Sequence, residues 1–192
     1  KNGIAHVVYK DGTIYQGPFV DSQRHGHGTE IERCPKTDGN IVFQGDFMQG
    51  QRVKGTTVDA EGHPKYKRYA GAFATFGKPN RKKSYRHGTG EIHFASGASY
   101  KGNFIRGVPQ GKGVYTYEDG VVYEGDFKSG RAHGHGTQQW PKSKKRYVGE
   151  WFEDLRHGQG EMIYEGGERW VGRFDQGTRT NDGRWLKPAQ QL

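Results

Sequence analysis

The sequence runs to 192 residues, enough for one ordinary domain or one short solenoid. Only 31% of the residues are hydrophobic and the formal charge is +9, a balance typical of disordered chains, but 13% aromatics and 32 glycines exclude disorder and imply a thin core made of rings. A single cysteine, Cys34, excludes an intrachain disulfide, and no run nears the roughly 18 apolar residues of a membrane-spanning helix, so a reducing, cytoplasmic setting is expected.

Residues 1–14 read as the second half of a preceding, truncated repeat, with Gly3 leading to the turn sequence Tyr9-Lys-Asp-Gly12. Lys1 rather than Met opens the sequence inside that repeat, so a fragment of a longer chain is expected. Over residues 15–183 one pattern then returns seven times: aromatic-x-Gly-x-aromatic, followed later by Gly-x-Gly. The first three copies are Tyr15-x-Gly17-x-Phe19, Phe43-x-Gly45-x-Phe47 and Tyr69-x-Gly71-x-Phe73. The other four are Tyr100-x-Gly102-x-Phe104, Tyr123-x-Gly125-x-Phe127, Tyr147-x-Gly149-x-Trp151 and Trp170-x-Gly172-x-Phe174. Successive first rings lie 28, 26, 31, 23, 24 and 23 residues apart, too regular for chance. Residues 184–192, with Trp185, are expected to form a cap or tail, because the last unit of a solenoid must cover an open edge.

In a strand, residues i, i+2 and i+4 share a face. Tyr123, Gly125 and Phe127 therefore point one way, and the glycine between the rings leaves a notch into which another group packs closely. Glycine weakens a strand, so a notch kept seven times is expected to be filled. The second strand starts at Gly-x-Gly and carries further apolar residues at alternate positions: Ile92 and Phe94, Tyr115 and Tyr117, Met162 and Tyr164. Gly107 is expected to supply the positive φ of the turn between the two strands, and Asp119-Gly120 and Ser96-Gly97 mark the turn into the next unit. The fold class is thus all-β: an elongated single-layer antiparallel sheet of tandem hairpins, an open, solenoid-like ribbon. A one-layer sheet is expected to leave part of its aromatic face exposed as an interaction surface.

Tyr-x-Gly-x-Phe/Trp, a turn and then His-Gly-x-Gly resembles the MORN (membrane occupation and recognition nexus) repeat. The clearest copies run from Tyr123-Glu-Gly-Asp-Phe127 to His133-Gly-His-Gly136 and from Tyr147-Val-Gly-Glu-Trp151 to His157-Gly-Gln-Gly160. Three departures stand out. In the second copy Phe43 replaces Tyr, and Val53-Lys-Gly55 replaces Gly-x-Gly with one residue fewer, expected to be missing from the turn. The third copy carries about eight extra residues within 74–87. The seventh ends in Thr180-Asn-Asp-Gly183, without the His-Gly pair.

Several local patterns invite chemical readings. His25-Gly-His27 and His133-Gly-His135 could offer imidazoles to a metal, but His25, His87, His133 and His157 occupy one repeat position, and one cysteine is too few for a closed zinc site. The glycine patterns belong to hairpins rather than to a phosphate loop that opens a helix. No catalytic, cofactor-binding or metal-ligating residue is expected. The stronger candidates are basic clusters: Lys142, Lys144, Lys145 and Arg146 before Tyr147; Lys65, Lys67 and Arg68 before Tyr69; and Lys78, Arg81, Lys82, Lys83 and Arg86 in the insertion. Such charge suits an anionic partner, and it equally serves solubility and edge protection. Nucleic acid is disfavoured, because its readers add stacking rings to a basic groove and these rings are committed to the repeat.

The expected function is a non-enzymatic scaffold that binds a partner helix or extended segment on its grooved face. The family resemblance implies a cytoskeletal or ciliary role, of the axonemal, radial-spoke kind. A peripheral phospholipid-binding domain at a membrane surface and the regulatory repeat segment of a larger enzyme are the alternatives. Protein partners are expected first, anionic phospholipid second, and a homodimer through an open sheet edge is a further option.

Overall fold

The computed structural model describes residues 2–59, 63, 65–77 and 83–188. Among the described residues seventeen strands lie in open antiparallel sheet, and the only helical element is one 3-10 turn, Pro141–Ser143. The all-β architecture of tandem hairpins is therefore what the chain adopts. It divides into two units, Lys1–Val108 and Pro109–Leu192.

The first unit holds β1 (Gly3–Val8), β2 (Ile14–Val20), β3 (Gln23–Arg24), β4 (Gly26–Arg33), β5 (Asn40–Met48), β6 (Gln51–Val58), β7 (Tyr66–Phe76), β8 (Lys83–Phe94) and β9 (Ser99–Ile105). The second holds β10 (Val108–Thr116), β11 (Val122–Lys128), β12 (Arg131–Trp140), β13 (Lys145–Phe152), β14 (Leu155–Ile163), β15 (Arg169–Asp175), β16 (Thr178–Arg179) and β17 (Arg184–Leu186). Within each unit pairing runs in chain order, so every hairpin builds on the one before it.

Glycines on neighbouring strands face each other. In the second unit Gly113, Gly125, Gly136, Gly149, Gly160 and Gly172 form one row across the sheet; in the first, Gly28, Gly45, Gly55, Gly71, Gly90 and Gly102 form another. The notch is filled from within, because Tyr15, Phe43, Tyr69, Tyr123, Tyr147 and Trp170 each lie over a glycine pair. A Cβ on Gly136 would stand 2.5 Å from the Tyr123 ring, and one on Gly125 would stand 2.6 Å from the Gly136 Cα. The tyrosine hydroxyl then donates to the carbonyl three residues on, as from Tyr123 to Asp126 (2.9 Å), Tyr147 to Glu150 (2.9 Å) and Tyr69 to Ala72 (2.8 Å).

The first rings Tyr15, Phe43, Tyr69, Tyr123 and Tyr147 also meet the second ring of their own strand and that of the next copy, edge to face. Tyr147 lies 5.4 Å from Trp151 and 4.8 Å from Phe174, and Tyr69 lies 5.1 Å from Phe73 and 5.5 Å from Phe104. The zigzag buries Tyr15, Phe43, Tyr69, Tyr100, Tyr123, Tyr147 and Trp170 almost completely. Rings lying on glycine thus cover one another within one layer, while Tyr117 and Trp185 on the same face stay exposed, so the aromatic face is exposed only in part. Burial pushes the Tyr69, Tyr100 and Tyr147 phenols up to about 12.

The two glycines of Gly-x-Gly do different jobs. Gly134 and Gly158 take left-handed φ (+64° and +57°) at β-bulges, whereas Gly136 and Gly160 sit under the rings. Hairpin turns use two residues of positive φ, such as Arg106 and Gly107 or Ser129 and Gly130. The second copy keeps such a turn at Gln49 and Gly50; its missing residue comes out of the bulge, where Val53 alone separates Arg52 from Lys54. In the third copy the described residues of the insertion are strand rather than loop. They lengthen both strands, with Ala74 facing Tyr85 and Phe76 facing Lys83.

Candidate binding groove

The residue opposite the second ring is arginine in five copies: Arg24 faces Phe19, Arg52 faces Phe47, Arg86 faces Phe73, Arg156 faces Trp151 and Arg179 faces Phe174. Directly paired residues share a face, so each guanidinium reaches the rings. Arg52 stands 4.8 Å above Phe43, Arg24 is 5.0 Å from Phe47, and Arg86 is 4.2 Å from Tyr66. In the second unit Arg156 is ringed by Phe174 (5.6 Å), Trp140 (5.8 Å) and Tyr147 (5.8 Å), while Arg179 lies 5.4 Å from Trp170 and 5.2 Å from Trp185.

The pair Arg24 and Arg52 and the pair Arg156 and Arg179 are balanced differently. For the first pair, the buried Glu30 carboxylate accepts from both Arg24 and Arg52 (2.6 Å to Arg52 Nε), and Glu32 accepts from Arg52 at 2.7 Å. Glu30 owes this position to register, since it faces the first rings Tyr15 and Phe43. In the second unit the residue facing first rings Tyr147 and Trp170 is Met162, and Tyr164 stands two residues further on, where the first unit has Glu32. Trp140, Lys145, Arg156, Met162, Tyr164 and Arg179 line an open groove of about 480 Å³ with no acidic residue in its wall. Arg156 donates to the Gly177 carbonyl (2.6 Å), and Lys145 Nζ lies 5.6 Å from the Tyr164 ring. Burial holds the Arg156 guanidinium below its ordinary value, and the charge of Arg179 pushes the same way.

The expected basic clusters separate in space. Lys142 lies in the 3-10 turn, and Lys144 pairs with Glu165. Lys145, facing Trp140, turns to the ring face, whereas Arg146, facing Gln139 and Ile163, turns away from it. Lys65 lies 5.4 Å from the Tyr66 ring, Lys67 falls at a bulge, and Arg68 faces Val58 and His93 on the side away from the rings. Arg86 is no loop charge: the lengthened hairpin carries it to the ring face, half-buried, while Lys83 stays exposed 5.6 Å from Tyr85. Lys78, Arg81 and Lys82 lie outside the described residues.

The groove residues Arg156, Arg179, Trp140 and Tyr164 are not among those clusters. A signal for the arginines exists, for Arg24, Arg52, Arg156 and Arg179 each follow the second ring by five residues. The histidines pair singly, His27 with Asp46 at 3.0 Å and His157 with Asp175 at 3.5 Å. Among the described residues no three His, Cys, Asp or Glu gather as metal ligands would, and no helix is long and apolar enough to cross a membrane.

Successive hairpins with one ring-on-glycine core and a repeated arginine position define a β-hairpin repeat protein. Residues 15–31, 82–99, 100–122, 123–144 and 147–169 match the family model of the MORN repeat. These matches take in more than half of the sequence, and the chain belongs to the MORN repeat family. That family is a non-catalytic repeat family that mediates protein or membrane-lipid interactions.

Proposed function

We propose that this chain is a non-enzymatic scaffold, a cytoskeletal or ciliary component that binds a helix or extended segment of a partner protein along its ring face. The observation that carries this reading is the groove of the second unit, where Trp140 and Tyr164 flank cations that no wall residue neutralises. Aromatic and arginine side chains are the groups that anchor protein interfaces. The assignment to cytoskeleton or cilium rests on kinship with the family.

A second reading, a peripheral phospholipid-binding domain, draws on the exposed Lys142 and Arg146 beside the turn at Pro141–Ser143. Lys and Arg near an anionic bilayer each contribute about 1 kcal/mol. Sedimentation decides between the two, using demembranated axonemes in one arm and neutral or phosphoinositide vesicles in the other. Pelleting with axonemes alone is the expected result. Pelleting with anionic vesicles alone, weakened by salt, establishes the lipid reading, and pelleting with neither overturns both.

A further inference from the structure

These two arginine pairs solve one problem in two ways. An arginine stacked on the ring core is partly desolvated, and a desolvated cation is costly unless an anion meets it. For Arg24 and Arg52 of the first unit the chain supplies that anion, as Glu30 bridges the two while Glu32 takes a further donor of Arg52; Arg86, the third stacked arginine there, makes no ion pair with a described residue and rests on Tyr66 and Tyr69. In the second unit the same two positions hold Met162 and Tyr164, and the wall of the groove adds a third cation, Lys145. Among the described residues neither Arg156 nor Arg179 makes an ion pair, and the protein hydrogen bond given by the Arg156 guanidinium goes to the neutral Gly177 carbonyl.

The exposed side of this groove is built to receive what the first unit provides for itself. Two guanidiniums offer planar donor pairs that match carboxylates. The flat rings of Trp140 and Tyr164, with Trp185 5.4 Å beyond Tyr164, supply apolar contact for the chain that carries those carboxylates.

We infer that the ring-face groove of the second unit binds an acidic peptide segment of a partner, whose carboxylates pair with Arg156, Arg179 and Lys145 as Glu30 and Glu32 pair with Arg24 and Arg52. The inference rests on the reading of the chain as a protein-interaction module, and it names the chemistry of the partner. An acidic protein segment is favoured over a bilayer, because the cations line a groove walled by Trp140 and Tyr164, into which carboxylate side chains of an extended segment can reach, and Arg156 lies against Phe174, Trp140 and Tyr147 within it.

The test is fluorescence anisotropy with a labelled ten-residue polyglutamate peptide and a polyglutamine peptide of equal length, titrated with the whole chain. Two variants change the groove. Arg179→Gln removes an exposed cation, and Met162→Glu copies Glu30 and so supplies the anion internally. A control, Lys128→Ser with Arg173→Ser, removes two exposed charges from the opposite face, more charge than either groove variant changes. Thermal unfolding of each variant checks that it is folded.

Polyglutamate is expected to bind at least about tenfold more tightly than polyglutamine, a gap of about 1.4 kcal/mol. Each groove variant is expected to weaken it by about tenfold, and the control by less than about twofold. Equal losses in groove and control variants, unchanged binding in both folded groove variants, or no preference for polyglutamate would each overturn the inference. If polyglutamate fails while axoneme pelleting persists, the acidic-partner inference falls alone; if both fail, the scaffold reading falls with it.

Discussion

The Tyr123 ring lies on Gly136 of the next strand, with the place of a Gly136 Cβ only 2.5 Å from the ring. This contact is the unit of the fold: it lets a one-layer sheet bury its aromatic residues, and it recurs as Tyr15 on Gly28, Tyr69 on Gly90 and Tyr147 on Gly160. Gly136→Ala is therefore expected to destabilise by about 3 kcal/mol, the upper part of the overpacking range. Gly120→Ala meets nothing within 4 Å and suffers only from its φ of +87°, so it is expected to lose about 1 kcal/mol. Urea denaturation followed by tryptophan fluorescence checks the order; equal losses would show that the close approach is not what holds the repeat.

The buried phenols give the protein an alkaline limit. Tyr69, Tyr100 and Tyr147 keep their protons up to about 12 because burial disfavours phenolate, whereas an unfolded tyrosine ionises near 10. The folded state thus holds more protons than the unfolded one above pH 10, and stability must fall as pH rises. The contribution is fully present below pH 10 and is lost as pH rises through about 12. Melting temperature is expected to fall across that window, with phenolate absorbance at 295 nm rising together with unfolding. Phenolate that appears near pH 10 with the fold intact would contradict the burial.

Glu30 carries two arginines in a site largely closed to water, so Glu30→Gln is expected to cost about 3 kcal/mol by leaving both cations short of charge. Glu91 pairs with His93 and Lys101 on an exposed surface, and Glu91→Gln is expected to cost less than about 1 kcal/mol. Denaturation in low and high salt separates the two, since salt weakens the surface pairs and leaves the Glu30 site little changed.

The hydroxyl that Tyr123 donates to the Asp126 carbonyl is one hydrogen bond among the contacts of that ring. Tyr123→Phe is expected to lose about 1 kcal/mol and keep the fold. The second copy shows the arrangement already in use, with Phe43 fully buried over Gly45 and Gly55. A collapse of the fold in this variant would mean that the hydroxyl, not the ring, organises the strand.

The strand pairs were legible because their signal is local: two rings and a glycine at period two fix both the strand and its inner face. Register was harder to see. Whether Glu30 or Met162 meets an arginine depends on which residues face each other across strands, and the bulges at Gly134 and Gly158 shift that pairing. Counting basic residues drew the eye to Lys142 through Arg146, yet alternation sends Lys145 and Arg146 to opposite faces. Arg86 was hidden in the same way, because extra residues that continue a hairpin look like a loop in sequence.

The central claim is that recognition takes place on the ring face of the second unit. A photo-crosslinking amino acid at Tyr164, which lines the groove on the ring face, and at Val148, exposed on the opposite face, tests it against demembranated axonemes. Adducts from position 164 that polyglutamate suppresses, with few or none from position 148, are the predicted result. Adducts from position 148 alone would place the partner on the other face and contradict the account.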